Sequence, residues 1–328
     1  MLYELALPAL IVRDSCRWLH RRLSKPTSGG TCRATPVFRF RAAKCRLRRL
    51  DLGLLTRLSP KAGARLALRR FEGSRPEPVP AIHTAAAPAV VCGATPAGRL
   101  PATVLGSQHR PRLLLVHGWN ADSSMLLPLA AALAASGFHV VLPDLEKGEG
   151  RGGGKLRRAR HAGFAEKARR LARDCGPLGP FAAVIGHSAG GLIGAMAVAE
   201  GLAANRLVTV CAPASMASLL AAYLKRTQAP LALYEAILPE YRALRARDAA
   251  AVGPEDYGRF GADHLVIHAR GDWQVRLDEA WQICAARPGS APVILENCNH
   301  HTILRHPALA RAIASFVAVP CREGARAC

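Results

Sequence analysis

From about residue 100 the chain alternates short solid apolar runs with longer stretches in which apolar residues recur every three or four positions. The runs are Arg112–Val116, Phe138–Leu142, Phe181–Ile185, Leu207–Cys211, His264–His268 and Val293–Leu295. A short continuous apolar run suits a strand buried on both faces, as in a parallel sheet. The stretches between them read as helices. One starts at an Asp122 or Ser123 cap, runs through Met125, Leu126, Leu129 and Leu133, and ends at Gly137. A basic amphipathic stretch covers roughly 161–173, and an Ala-rich helix covers 189 to about 204. Two more cover 277–286 and 307–317. Strands alternating with helices of this length predict a doubly wound, mostly parallel α/β sheet with helices on both faces.

The first 80 residues differ. Residues 1 to about 45 show no sustained period. Residues 46–72 carry Leu47, Leu50, Leu54, Leu58, Leu66 and Leu68 at helical spacing, with arginines between, and Pro60 must interrupt that helix. Arg75–Pro80 reads as an extended linker. The expected organisation is a basic, partly helical N-terminal extension over 1–80 and a main domain over 81–328.

Composition sharpens this division. The chain has 328 residues and a formal net charge of +22, from 45 Lys plus Arg against 23 Asp plus Glu. Residues 1–75 hold 18 Lys/Arg and 4 Asp/Glu, so +14 of the charge lies there. A packed helical extension accounts for it most simply. A weak contact between residues 1–75 and an anionic surface is a second reading. Nucleic acid is not an expected partner, because zinc spacing, an RNP-like aromatic run and heptads are all missing. With hydrophobic residues at 50%, disorder of the whole chain is excluded. No apolar run reaches the length of a spanning helix, and the opening segment is a poor secretory signal. The ten cysteines form no C-x-x-C pair, which suggests free thiols and a cytoplasmic protein.

In open α/β sheets, ligands bind at the carboxyl ends of the strands. The third run leads into Gly186-His187-Ser188-Ala189-Gly190, a G-x-S-x-G string between a strand and a helix. Such a sharp turn strains the Ser backbone, needs the small neighbours Gly186 and Gly190, and lifts the hydroxyl above the sheet at a helix N-terminus. Ser188 is the candidate nucleophile. A developing oxyanion needs donors, for which main-chain N–H groups of Ala189 and of Trp119, in the His117-Gly118-Trp119 loop after the first run, are suited. A hydroxyl also needs a base. Asp272 ends the fifth run on a glycine turn and can orient an imidazole. His300 and His301 follow the sixth, and His300 is the preferred base. Histidines 117, 187 and 268 read as packing residues. No spacing suggests a metal site or a cofactor. The string Gly148–Lys155 fails as a phosphate loop, because Glu149 stands at the first Gly position and Leu156 follows the Lys.

Over roughly residues 100–320 these motifs resemble the α/β-hydrolase fold superfamily. The resemblance rests on His117-Gly118, the Gly-His-Ser-Ala-Gly elbow, Gly271-Asp272-x-x-Val275, and Asn299-His300 with Ile303-Leu304. It departs from the usual pattern at Asn299 in place of Gly, at Arg276 in place of Pro, and in the loop Asp144–Gly150. The resemblance implies a helical cap, here over about 212–262. It also implies a serine hydrolase of the carboxylic ester type, acting on a small acyl ester without a cofactor. Two alternatives stay open: acyl transfer on the same fold, and a non-catalytic anion-binding role of the basic N-terminal region.

Overall fold

The computed structural model describes residues 50–73, 91–94, 100–146, 163–244, 253, 257, 263–287 and 289–319. The expectations for residues 1–49, the Arg75–Pro80 linker, the 148–155 string and most of 245–262 fall outside them. From Arg49 onward the chain is one compact unit.

Eight strands form one sheet: β1 Val91–Ala94, β2 Pro101–Leu105, β3 Arg112–Val116, β4 His139–Pro143, β5 Ala183–His187, β6 Arg206–Val210, β7 Asp263–Ala269 and β8 Val293–Leu295. Their spatial order is β1-β2-β4-β3-β5-β6-β7-β8. The pairs β1/β2 and β2/β4 are antiparallel, and every later pair is parallel. Strands β4, β5 and β6 are buried along their whole length, as their unbroken apolar runs require. The doubly wound, mostly parallel sheet is the one the pattern predicts.

Two details differ. The third apolar run begins the strand two residues late: Phe181 makes only an isolated bridge to Ala204, and the ladder extends through Gly186 and His187. Gly186 pairs with Val116 on one side and Thr209 on the other, so the turn that carries Ser188 grows directly out of the ladder. Strand β2 has no solid apolar run because it lies nearer the edge and is buried only at Ala102 and Leu105.

Helices cover both faces. On one face α2 Leu127–Ala135 and α7 Pro307–Ala318 bury leucines and isoleucines against β3, β4 and β7. On the other lie α3 Phe164–Cys175 and α4 Ala189–Ala199. After β6 come α5 Met216–Thr227 and α6 Ala232–Leu244, a helix pair inside the stretch expected to form the cap. The N-terminal helical segment breaks at Ser59, whose hydroxyl caps α1, Pro60–Glu72. Helix α1 contributes Ala64, Ala67, Leu68 and Phe71 to the same core cluster as α3, α4 and α5. It packs along α6, and Arg65 pairs with the buried Glu240 there. Among the described residues no helix is long and apolar enough to cross a membrane.

Candidate active site

Ser188 stands between β5 and α4 with φ 55° and ψ −132°. A left-handed φ on a residue with a side chain costs on the order of 1–3 kcal/mol, so its surroundings must enforce it. They do so through the main chain. The Ser188 N–H donates to Val210 O at 2.9 Å, and Gly191 N–H donates to Ser188 O at 2.9 Å. The turn is so tight that a Cβ at Gly190 would press on Val116 O and lie 2.7 Å from His117 O. A Cβ at Gly186 would lie 2.5 Å from Gly191 Cα. These backbone crossings require glycine at both positions of the motif.

Asp272 and His300 come together from loops 28 residues apart. Asp272 Oδ2 accepts from His300 Nδ1 at 2.7 Å, and Oδ1 accepts the N–H groups of Gln274 at 2.8 Å and Val275 at 2.9 Å. Burial alone would raise the pKa of this carboxyl. The hydrogen bond from His300 and that from Val275 outweigh it, so Asp272 titrates below the ordinary carboxylate value. A carboxylate accepts only, so the His300 Nδ1 carries the proton and a neutral ring presents Nε2 as an acceptor. His300 is buried at 2% exposure. Its main-chain O accepts from His187 Nε2 at 2.8 Å, and the two rings lie 4.8 Å apart. His187 is the residue before Ser188, so this bond ties the His300 loop to the elbow. His301 points elsewhere: it is exposed, and its Nε2 accepts from the Gln274 amide.

Gly118 passes directly beside the elbow, where a Cβ on it would stand 3.0 Å from Ser188 Cβ and 3.5 Å from Oγ. Trp119 follows in this loop, and Ala189 is the first residue of α4. Neither main-chain N–H donates to a protein acceptor among the described residues. His117 fastens the base of the loop: Nδ1 donates to Gly118 O, and Nε2 accepts the Leu145 N–H, both at 3.0 Å. Burial lowers its pKa, which keeps Nε2 free to accept.

Cys211, at the end of β6, brings its sulfur within 4.8 Å of the Asp272 and His300 ligand atoms. A metal there would need a thiolate. Burial and the neighbouring Asp272 instead hold the thiol well above its ordinary pKa, and its S–H helps hold the carboxylate. The trio reads as part of a hydrogen-bond network around Asp272. His268 joins it, buried, with Nε2 donating to Val275 O at 3.1 Å.

Two histidines, the buried His187 and the partly buried His264, contribute most plainly to acid sensitivity. Burial, reinforced by His300, pushes the His187 pKa down to about 3, and burial with Arg287 does the same at His264. In the unfolded chain both titrate near 6.5, so between pH 6.5 and 3 only the unfolded state takes up these protons. Stability is therefore full above about pH 6.5 and falls with acid, by about 2 kcal/mol per histidine at pH 5. The melting temperature is expected to drop between pH 7.5 and 5.0, and His264→Gln should remove part of that drop, because the lowered pKa values of His117, His268 and His301 add to it. An equal melting temperature at both pH values would refute this account.

A family model described as the alpha/beta hydrolase fold matches residues 111–238. This is an α/β-hydrolase fold. A bacterial membrane phospholipase A, a virulence factor, is 20% identical with a TM-score of 0.52. The match covers 88% of this chain and 99% of that one. An esterase from Rhodococcus sp. ECU1013 is 19% identical with a TM-score of 0.48, over 70% and 98% of the two chains. A serine hydrolase involved in carbazole degradation is 18% identical with a TM-score of 0.48, over 71% and 100%. At these identities the likeness speaks for the fold alone. No curated protein matches the chain.

Sequence reasoning gave no place to Cys211, beside Asp272 and His300, or to Phe71, whose main-chain O accepts from the Trp119 indole at 2.8 Å. Cys211 was the last residue of an apolar run, and its strand-end place was the available signal. Phe71 gave no signal, because its contact with Trp119 spans 48 positions.

Proposed function

We propose that the protein is a serine hydrolase that cleaves a carboxylic ester or a related acyl substrate through an acyl-enzyme. Ser188 Oγ bonds to the substrate carbonyl carbon while its proton passes to His300 Nε2. The carbonyl oxygen becomes an oxyanion held by the N–H groups of Trp119 and Ala189. Collapse breaks the bond to the leaving group, which takes the proton from His300. Water then attacks the acyl carbon, gives its proton to His300, and frees the carboxylic acid as Ser188 Oγ regains the proton. Asp272 orients the imidazole and stabilises its charged form. Every step is proton transfer and acyl transfer among these groups.

The observation that carries this reading is the 2.7 Å bond from Asp272 to His300, on a loop fastened to the residue preceding a left-handed Ser188. A fluorophosphonate probe tests it. Wild-type protein should label, and Ser188→Ala should not. Folded wild type that resists the probe would sink the reading. So would labelling that survives Ser188→Ala. Rates across p-nitrophenyl esters from acetate to palmitate would then give the acyl preference.

A further inference from the structure

Trp119 sits in an unusual enclosure. Its indole Nε1–H donates to the main-chain O of Phe71 at 2.8 Å. Phe71 lies in the last turn of α1, at the negative end of the helix dipole. The Phe71 ring, itself fully buried, stacks on the indole with centroids 4.8 Å apart and planes 24° apart. Tyr223 of α5 meets the indole edge-on at 5.7 Å, and its hydroxyl donates to Ala67 O of α1 at 3.3 Å. The Arg226 guanidinium lies over the indole at 4.5 Å. Phe164 of α3 backs Phe71 at 5.6 Å.

The loop that carries Trp119 needs such an anchor. Gly118 on one side is pressed against Ser188, and Asn120 on the other holds a left-handed φ of 58°. Between two unusual residues, the orientation of the Trp119 peptide is set by where its side chain is gripped. The grip comes from α1, before the first strand of the sheet, and from α5, after the sixth.

We propose that Phe71 is a positioning residue for catalysis: by holding the Trp119 indole, α1 aims the Trp119 N–H at the oxyanion. This rests on the hydrolase reading above and extends the active site into the N-terminal helical segment. The apolar face of α1 then serves the chemistry as well as the core. A misaimed oxyanion donor loses transition-state binding while leaving ground-state binding nearly intact.

The test uses the full chain with Phe71→Ala and Trp119→Phe. The second keeps an aromatic ring and the main-chain N–H but deletes the indole donor. Turnover of the best p-nitrophenyl ester is normalised to sites titrated with fluorophosphonate, and affinity for an alkyl boronic acid is measured beside it. The boronate forms a tetrahedral adduct on Ser188 whose oxygen occupies the oxyanion position. Phe71→Ala should lower kcat per titrated site by about 10–100-fold, move KM by less than about 3-fold, and weaken boronate binding by about the factor lost in kcat/KM. Trp119→Phe should lose about 3–10-fold in the same pattern, and it decides the matter if Phe71→Ala does not fold. Variants with wild-type kcat per site and wild-type boronate affinity would overturn the positioning role while the hydrolase reading stands. A wild type that neither labels nor turns over would overturn both.

Discussion

Asp272→Asn is expected to lower kcat by about 10⁴-fold per titrated site while the protein stays folded. Asn retains an oxygen for the Gln274 and Val275 N–H groups, which now bond to Oδ1 at 2.8 and 2.9 Å. It presents an NH₂ group where Oδ2 accepts from His300. An N–H cannot accept, so the imidazole must shift its proton to Nε2, where it can no longer take one from Ser188. His300→Ala should cost a similar factor, and the double variant little more, because the two groups act as a unit. His301→Ala should stay within a few-fold of wild type, since its ring bonds to Gln274 and lies outside the pair. Active-site titration followed by steady-state kinetics measures all four. An Asp272→Asn protein with more than about a tenth of wild-type kcat would remove Asp272 from the chemistry.

Gly190→Ala should be among the most damaging single methyl groups in the fold. The added carbon would press on Val116 O and lie 2.7 Å from His117 O, both main-chain atoms of the strand beside the elbow. Neither can rotate away as a flexible side chain can. The elbow must separate from β3, which opens the centre of the sheet and moves Ser188 from the Gly118 loop. A loss above about 3 kcal/mol is expected, a large share of the stability of a typical domain. Gly176→Ala is the matched comparison, because nothing lies within 4 Å of its added carbon and its backbone is right-handed helical. Melting temperatures of the two variants decide: a drop of about 6 °C or more at Gly190 with little change at Gly176 is expected. Equal values would mean that the crossing is looser than the geometry implies.

Much of this was legible in the residue order, and particular residues show why. The solid apolar runs announced β3 to β8, most clearly β4, β5 and β6, because a strand buried on both faces has no polar side to interrupt it. Ser188 was legible because a strand-to-helix turn that tight demands Gly186 and Gly190 beside it. Strand β2 was missed because it is only partly buried, and its sequence has neither a solid apolar run nor a clean alternation. Lys167 and Arg170 look like solvated positions on a basic helix, yet both are buried, with Lys167 against Glu146 and Arg170 3.7 Å from Asp174. A periodic pattern reports that a face is buried and leaves its partner open.

The same limit shaped the reading of the charge. Residues 1–75 hold +14 of the +22; a packed helical extension is the simplest reading of that charge and a weak contact with an anionic surface the second, and the pattern alone does not say what the helix packs on. Packing gives α1 a second character, with Ala64, Ala67, Leu68 and Phe71 facing the core and Arg65 reaching Glu240.

By itself the sequence determined the layer architecture, the strand that leads into the Ser188 turn and the residue types gathered at the strand ends. These follow from burial period and from local steric demands, which act over a few residues. The tertiary structure alone decided that His300, rather than His301, faces Asp272, and that Cys211 lies beside the carboxylate. It alone brought the carbonyl of Phe71 to the Trp119 indole. Those choices depend on the twist of the sheet and on hydrogen-bond directions between segments far apart in the chain, where a displacement of an ångström breaks a bond that no local pattern records.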